Sequence, residues 1–322
     1  MEKHKKEQRP IDLSGIRSSS IKKRKNLVNL KQFAGVTEQK DFGIFLGSIP
    51  KLLAGNYLRE VIESIVKAAN QGKHVVLAIG AHVIKCGLSP LLIDLMERNI
   101  VTAVAMNSAA AIHDYEISLI GETSEDVAHS LEDGSFGMAK ETVKAFQRAA
   151  SRGSLKEEGN IGETGLGRAL GNIIIKDRNI HEQFSVLAAA ASLNIPLTIH
   201  TAIGTDTIYM HPNISSADLG ESSHVDFRIL CSVVTELEGG VWLNIGSAVI
   251  MPEVFLKALT VSRNLGRKVD NFTAVNMDMI QHYRPLTNVV KRPGNKGYSL
   301  TGHHEIMIPL LRAGILSKLQ AE

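Results

Sequence analysis

Residues 57–80 read YLREVIESIVKAANQGKHVVLAIG, and the change of rhythm inside this stretch decides the fold. In its first half Leu58, Val61, Ile62, Ile65, Val66 and Ala69 recur at three- and four-residue spacing, so they share one face of a helix. Gly72 stands where a helix ends in the left-handed conformation that glycine enters at least cost. The residues after it, HVVLAIG, are a short continuous apolar run, the pattern of a strand buried on both faces. A helix that feeds directly into such a strand is the repeating unit of a parallel sheet with helical crossovers.

Outward from this stretch the unit recurs. The helix IKCGLSPLLIDLMERN precedes the strand IVTAVAMN, HEQFSVLAAAASLN precedes IPLTIH, SHVDFRILCSVVTELEGG precedes VWLNIG, and PEVFLKALTVSRNLG precedes FTAVNM. A shorter apolar run, ISLIG, reads as one more strand. Two helices follow it, TSEDVAHSL with Thr123 as N-cap and acids in the first turn, and FGMAKETVKAFQRAA. A last helix begins near His303. The expected architecture is α/β: a doubly wound, mostly parallel, Rossmann-like sheet of about six strands with helices on both faces. With no internal repeat and no proline- or serine-rich linker, residues 36–322 read as a single domain behind a basic, partly ordered N-terminal arm of residues 1–35. Ser151–Asp177 is rich in glycine and gives no assignment.

The chain has 322 residues, 44% of them hydrophobic, enough for a substantial core. Its formal charge of +3 is small, and the basic excess sits in MEKHKKEQR and SIKKRK, so a solvated arm is expected and a nucleic-acid partner is not. Only Cys86 and Cys231 are present, both in apolar helical patterns, which excludes a disulfide framework and a four-cysteine zinc site and suits a reducing compartment. No apolar stretch reaches the roughly 18 residues of a membrane span, so a cytoplasmic protein with no membrane partner is expected.

Ligands of open parallel sheets bind beyond the carboxyl ends of the strands. The six expected ends carry Gly80 and His82, Asn107 and Ser108, Gly121 and Glu122, His200 and Thr201, Gly246 and Ser247, and Asn276 and Asp278. A glycine there lets the backbone approach a phosphate while the next helix presents its N–H groups. Histidines form a second set, His82, His113, His200, His211, His282, His303 and His304, with Asp114, Asp206 and Asp278 as possible co-ligands. No HxH or HExxH pair fixes a metal, so no metal ligand is assigned. Neither a GxSxG elbow nor a GxxxxGKS phosphate loop occurs. The glycines of GNIGETGLGRALGN suit either a ligand-wrapping segment or a surface loop.

Several of these segments, in this order, resemble the deoxyhypusine synthase family from about residue 75 onward. MNSAAAIHDYE resembles its Thr-Ala-Gly-Gly-Val-Glu-Glu-Asp stretch, with Ser108 to Ala111 on the first four positions and His113 and Asp114 on the paired glutamates. SVLAAAASLNIPLTIHTAIGTDTIYMHP resembles the segment in which a helix and an Ile-Pro strand precede Gly-Asp-x-Ile-Phe-Phe-His, with Asp206 on the aspartate that holds the polyamine. WLNIGSAVIMPE is similar to a triple-glycine turn, with Met251, Pro252 and Glu253 on a lysine and two histidines. AVNMDMIQHYRP resembles the following cofactor strand, with Asp278 on an asparagine and Gln281 on an identical glutamine. The family's Glu-Ala-Val-Ser-Trp-Gly-Lys segment is missing, and LTNVVKRP, carrying Lys291 beside Arg292, is its nearest counterpart.

The resemblance implies a parallel NAD-binding sheet. Gly80, His82, Asn107, Ser108, Ala109, Ala110, Asp114, Gly246, Ser247, Asp278 and His303 are the candidates for meeting the cofactor. Lys291, Asp206 and His282 are the candidate catalytic residues, and Asp206 and His211, with Glu236 or Glu238 as further acids, the candidates for holding a cationic amine. The implied reaction oxidises a polyamine or related amine to an imine and passes the alkylamine to an acceptor through a neutral lysine. The implied assembly is a homotetramer or homodimer. Two other function classes stay open: a dinucleotide-binding sensor or scaffold without catalysis, and a metal-dependent hydrolase built on the histidines.

Overall fold

A computed structural model describes residues 14–33, 42–50, 52–154, 165–294 and 296–321. In chain order these form β1 (Asn26–Asn29), α1 (Phe42–Ser48), α2 (Leu53–Asn70), β2 (Val75–Ile79), α3 (Ala81–Lys85), α4 (Ser89–Glu97), β3 (Ala103–Asn107), α5 (Ser108–Ile120), β4 (Glu122–Glu125), α6 (Val127–Glu132), α7 (Lys140–Gly153), α8 (Gly165–Asp177), α9 (Val186–Ser192), β5 (Leu197–His200), α10 (Ser216–Thr235), β6 (Val241–Ile245), α11 (Ile250–Asn264), β7 (Thr273–Asp278), α12 (Tyr283–Pro285), β8 (Lys296–Thr301) and α13 (His304–Ala321). Six strands make one sheet in the order β5-β3-β2-β6-β7-β8, every pair parallel. β1 and β4 form a separate antiparallel ribbon. No described helix is long and apolar enough to cross a membrane.

Because strand side chains alternate between faces, the buried strands sort their residues by parity. Val75, Leu77 and Ile79 of β2, Val104 and Met106 of β3, and Leu243 and Ile245 of β6 point into the larger core, packed by α2, α4, α5, α8, α9 and α13. Val76, Ala78, Ala103, Ala105 and Ala274 face the other side, against α10 and α11. The alanines on that second face leave room for Trp242, which stacks on Phe255 with ring centroids 4.1 Å apart and planes 14° from parallel. Trp242, the chain's sole tryptophan, is therefore a core residue.

The strand count of six agrees with the sequence, but one member differs. ISLIG is not a strand: α5 runs through Ile120 and ends on Gly121, whose positive φ of 71° makes it a left-handed cap. The sixth strand is instead β8, the polar KGYSLT at the sheet edge, where one side needs no apolar partner. The expected helix 84–99 is interrupted at Gly87, φ 72°, which separates α3 from α4. Thr123 lies in β4, and the N-cap of α6 is Asp126, whose carboxylate accepts from His129 N–H. Residues 159–164 of the glycine-rich segment lie outside the described residues. Those that follow open α8, where Gly167 sits so close to the Leu197 carbonyl, and Gly171 to that of Leu187, that a Cβ would stand 2.1 and 2.5 Å from the oxygens. Their role is close packing.

The strand order places the ligand cleft. From β2 the chain moves outward to β3 and β5, then returns to the other side of β2 for β6, β7 and β8. The direction of winding switches between β2 and β6, so the crevice opens at the carboxyl ends of these two neighbours, at Gly80 and Gly246.

Candidate functional site at the switch point

The two glycines are held against each other. Gly80 N–H donates to the Ile245 carbonyl at 2.9 Å and Gly246 N–H to that of Met277 at 3.1 Å, extending the ladder past the last strand residues. A Cβ on Gly80 would lie 2.0 Å from the Gly246 carbonyl oxygen, and Gly246 has φ 66°. Only glycine fits at the first position, and the second is left-handed.

Above them lies His304, the first residue of α13. It is fully buried, and neither ring nitrogen has a hydrogen-bond partner. Its Nε2 stands 3.8 Å from Asp278 Oδ1 and its ring 5.7 Å from that of His82. Burial, helped by His82 and opposed by Asp278, lowers its pKa, so the imidazole is neutral at pH 7. A buried polar side chain with both nitrogens unfilled is rare in native proteins and calls for a partner. Ser108 Oγ and Asn244 Oδ1, at and near the ends of β3 and β6, are buried and unpartnered in the same way. The floor beneath is a chain of amides: Asn244 Nδ2 donates to Asn276 Oδ1 at 2.7 Å, and Asn276 Nδ2 to Gln281 Oε1 at 2.7 Å.

On the β3 side of β2 a cavity of about 250 Å³ lies between α3, α5, β4 and the turn Thr207–Met210. Lys85, Ala109 and His113 line it, together with Arg24 from the N-terminal segment. Arg24 is no solvated arm residue. Its guanidinium pairs with Glu116 at 2.5 Å and Glu125 at 3.4 Å, and Glu116 also accepts from Thr123 and Thr142 hydroxyls. Burial opposes the charge on Glu116, but His113, Arg24 and Thr123 overcome it and hold its carboxyl below the usual range. Asp206, on the turn beside this cavity, accepts from Ala202 N–H at 2.6 Å, and burial raises its pKa. The nearby Ser108 hydroxyl pulls the other way without making a hydrogen bond of ordinary geometry.

Of the residues assigned from sequence, Gly80, Gly246, Ser247, Asp278 and His82 gather at the switch point, with His303 exposed at its rim. Asn107 is committed to its own helix: its side chain accepts from Ala110 N–H at 2.9 Å, and Ala110 itself is fully buried. Ser108 and Ala109 open that helix at the cavity.

Three of the assigned residues are placed apart from the switch point. Asp114 is committed elsewhere: fully buried, it accepts from Ser185 Oγ and from Val186 and Leu187 N–H at 2.6 to 3.1 Å, so both oxygens are taken up by the N-terminus of α9. His211 is buried against the Gly137 carbonyl at 2.9 Å, a packing contact. Lys291 is exposed at the wrong edge of the sheet. The adjacent Val290 carbonyl presses on Gly297, which pairs with Ala274 at the start of β7, roughly 13 Å of strand from the carboxyl ends. His282 lies beyond β7 and is exposed.

The remaining histidines are dispersed. His200 is buried against Thr198 Oγ1 at 3.0 Å, and among the described residues no three His, Cys, Asp or Glu side chains are grouped to hold a metal ion. Cys86 reaches Glu305 at 3.7 Å, and burial followed by that carboxylate pushes its thiol up to about 11, so it is no ready nucleophile. Sequence reading missed Arg24, Lys85 and the Glu116–Thr123 pair. Their spacing carries no motif, because a crossover and a ribbon bring them together.

The fold is that of a doubly wound α/β protein with its crevice at one switch point. No family model matches the chain, and no curated protein is similar to it. Solved structures are. A conserved LOR/SDH protein from Methanococcus maripaludis S2 aligns with 85% of this chain and 72% of its own, at 15% identity and a TM-score of 0.52. The ternary complex of AgrE with ornithine and NAD+ aligns with 84% of this chain at 14% identity and a TM-score of 0.55, and the aligned part is 34% of AgrE. A protein from Entamoeba histolytica assigned as a deoxyhypusine synthase reaches a TM-score of 0.48 at 11% identity. For the first two, at such identities the likeness establishes a shared fold and nothing finer.

Proposed function

We propose that this chain is an NAD-dependent enzyme acting on a small amine. The observation that carries the reading is His304, a buried imidazole with both nitrogens unpartnered, set over the paired glycines of the switch point. The residues present fit a dinucleotide. Gly80 and Gly246 leave the carboxyl ends of β2 and β6 free of side chains of their own, and Ser108 and His304 offer buried polar atoms with no hydrogen-bond partner. When bound, NAD would supply a hydride acceptor. The AgrE complex with ornithine and NAD+ supports an amine as the second ligand.

Passage of an alkyl group through an enzyme lysine is not part of the proposal, because Lys291 lies at the opposite edge. Asp206 remains as the acid beside the cavity that would hold a cationic amine, the charges of Glu116 and Glu125 being paired with Arg24.

Titration of the purified protein with NAD+ in a calorimeter tests the cofactor, and absorbance of the reduced cofactor with ornithine, putrescine, spermidine or agmatine tests the chemistry. Binding with turnover of one amine is the expected result. Binding without turnover of any amine would leave the sensor reading in its place, and no binding of NAD+, NADH or NADP+ would sink the proposal.

A further inference from the structure

We infer that the cavity beside α5 is the amine subsite, that it takes a small zwitterionic amino acid in preference to a plain polyamine, and that His113 is the catalytic residue which removes the ammonium proton. The inference rests on the amine reading above and adds the substrate class and the base.

The hydrogen bonds fix which nitrogen of His113 is free. Glu116, held ionised, is an acceptor only, so the Thr123 hydroxyl at 2.5 Å from it must donate. With that proton committed, Thr123 Oγ1 can only accept from His113 Nδ1, 2.7 Å away. At 3.8 Å the imidazole is beyond direct hydrogen-bond range of Glu116 and reaches it through Thr123. This assignment follows from the network, and it leaves Nε2 as the nitrogen with no place in it, on a ring that lines the cavity. Thr123 and Glu116 are positioning residues: they hold the tautomer and stabilise the imidazolium once it forms.

Lys85 sets the substrate class. It lines the same cavity, and while Arg24 is committed to Glu116 and Glu125, Lys85 makes no ion pair among the described residues. A cavity with one base and one uncommitted ammonium suits a ligand with an ammonium at one end and a carboxylate at the other. A polyamine would meet Lys85 with like charge. About 250 Å³ accommodates an amino acid of a few carbons. In the step assigned to His113, the substrate N–H bond breaks, its electron pair stays on nitrogen and the proton joins Nε2. That produces the neutral amine which any oxidation at the neighbouring carbon requires.

The test uses the full chain, with and without saturating NAD+, titrated with L-ornithine and with putrescine. L-ornithine is expected to bind more tightly than putrescine, and Lys85→Met to weaken it by roughly ten- to a hundredfold, the loss of one charge-assisted contact. Ala109→Trp, which fills the cavity, is expected to abolish both. A cooperative urea melt with an m value equal to that of the parent shows that each variant is folded. Nitrogen-15 spectra of the histidine-labelled protein, with His113→Asn to assign the signal, are expected to show the Nδ1–H tautomer in the free protein and protonation of Nε2 as L-ornithine is added. L-ornithine binding unaffected by both substitutions, no binding at all, or a His113 signal that ignores the ligand would overturn the inference. Loss of NAD+ binding alone would instead remove the proposed function, because the titration without dinucleotide reads the cavity independently.

Discussion

Two buried groups titrate in opposite senses, and both leave a mark on acid stability. Asp114 is raised from 3.8 to about 6, because burial outweighs its bonds to Ser185, Val186 and Leu187. The folded protein therefore holds that proton more tightly than the unfolded chain between these values. The stabilisation is complete below 3.8 and is lost as pH rises through about 6, roughly 3 kcal/mol in all. His200 behaves in reverse. Burial lowers it from 6.5 to about 3, so its contribution is present above 6.5 and is lost as pH falls through about 3, roughly 5 kcal/mol. Because the two windows overlap, each shows only by difference. The gap in unfolding free energy between Asp114→Asn and parent should change between pH 4 and 6, with the parent losing ground as pH rises. His200→Gln should remove the steepest part of the acid-side loss. Urea melts at half-unit steps of pH read both, and parallel curves for either variant and the parent would contradict the assignment. Asp114 also shows why single residues mislead in a sequence. Its position next to His113 suits a cofactor contact, yet on a helix successive side chains point about 100° apart, and this one reaches inward to cap α9 while its neighbour faces the cavity.

At the scale of elements, the sheet was legible where its strands are buried on both faces. HVVLAIG, IVTAVAMN, VWLNIG and FTAVNM have no polar face, and the sheet holds them all as parallel neighbours or near-neighbours. ISLIG shares that apolar density but continues the period of α5, and the Gly121 cap ends a helix as readily as a strand. β8 was missed for the converse reason, since an edge strand with Lys296, Tyr298 and Ser299 carries no apolar run. The cleft followed from strand order and two glycines, whereas nothing set His304 apart from the six other candidate histidines until α13 was placed over them. The crowding at those glycines makes a ranked prediction. Gly80→Ala drives a Cβ into the backbone of Gly246, which cannot yield without parting β2 from β6, while Gly246→Ala meets the far edge of the His304 ring. Gly80→Ala should destabilise by about 3 kcal/mol and abolish NAD+ binding. Gly246→Ala should cost about 1–2 kcal/mol for its left-handed backbone and weaken binding by displacing His304. Gly72→Ala, left-handed but facing open space, is the control for backbone strain alone. Equal losses at all three would mean that the close approach of Gly80 to Gly246 has no energetic weight.

Across the whole molecule, the N-terminal segment is tied into the body by charge. β1 adds a short ribbon to β4, Ser20 donates to Glu141 at 2.7 Å, and Arg24 bridges Glu116 on α5 to Glu125 on β4. Composition alone reads that segment as a solvated basic run, since nothing local marks one cation of the KKRK run as the buried one. Arg24 side-chain exposure is 13% and that of Glu116 is 1%, so removing the cation strands a buried carboxylate. Breaking a pair of this kind from one side costs about 3–5 kcal/mol, whereas removing both charges together costs far less. Arg24→Met should therefore lower unfolding free energy by about 3 kcal/mol, allowing for its partial exposure, and Glu116→Gln in the same chain should recover most of that loss. The double variant separates brace from base. With a neutral amide in place of the Glu116 carboxylate, the donor role of Thr123 is no longer fixed, so His113 should lose its single tautomer even where stability returns. Denaturant melts of the parent, the two single variants and the double variant measure the coupling, and nitrogen-15 spectra of His113 measure the tautomer. A coupling below about 0.5 kcal/mol would show that Arg24 is a surface cation after all. Recovery of stability together with an unchanged His113 tautomer would show that Glu116 braces the segment without orienting the base.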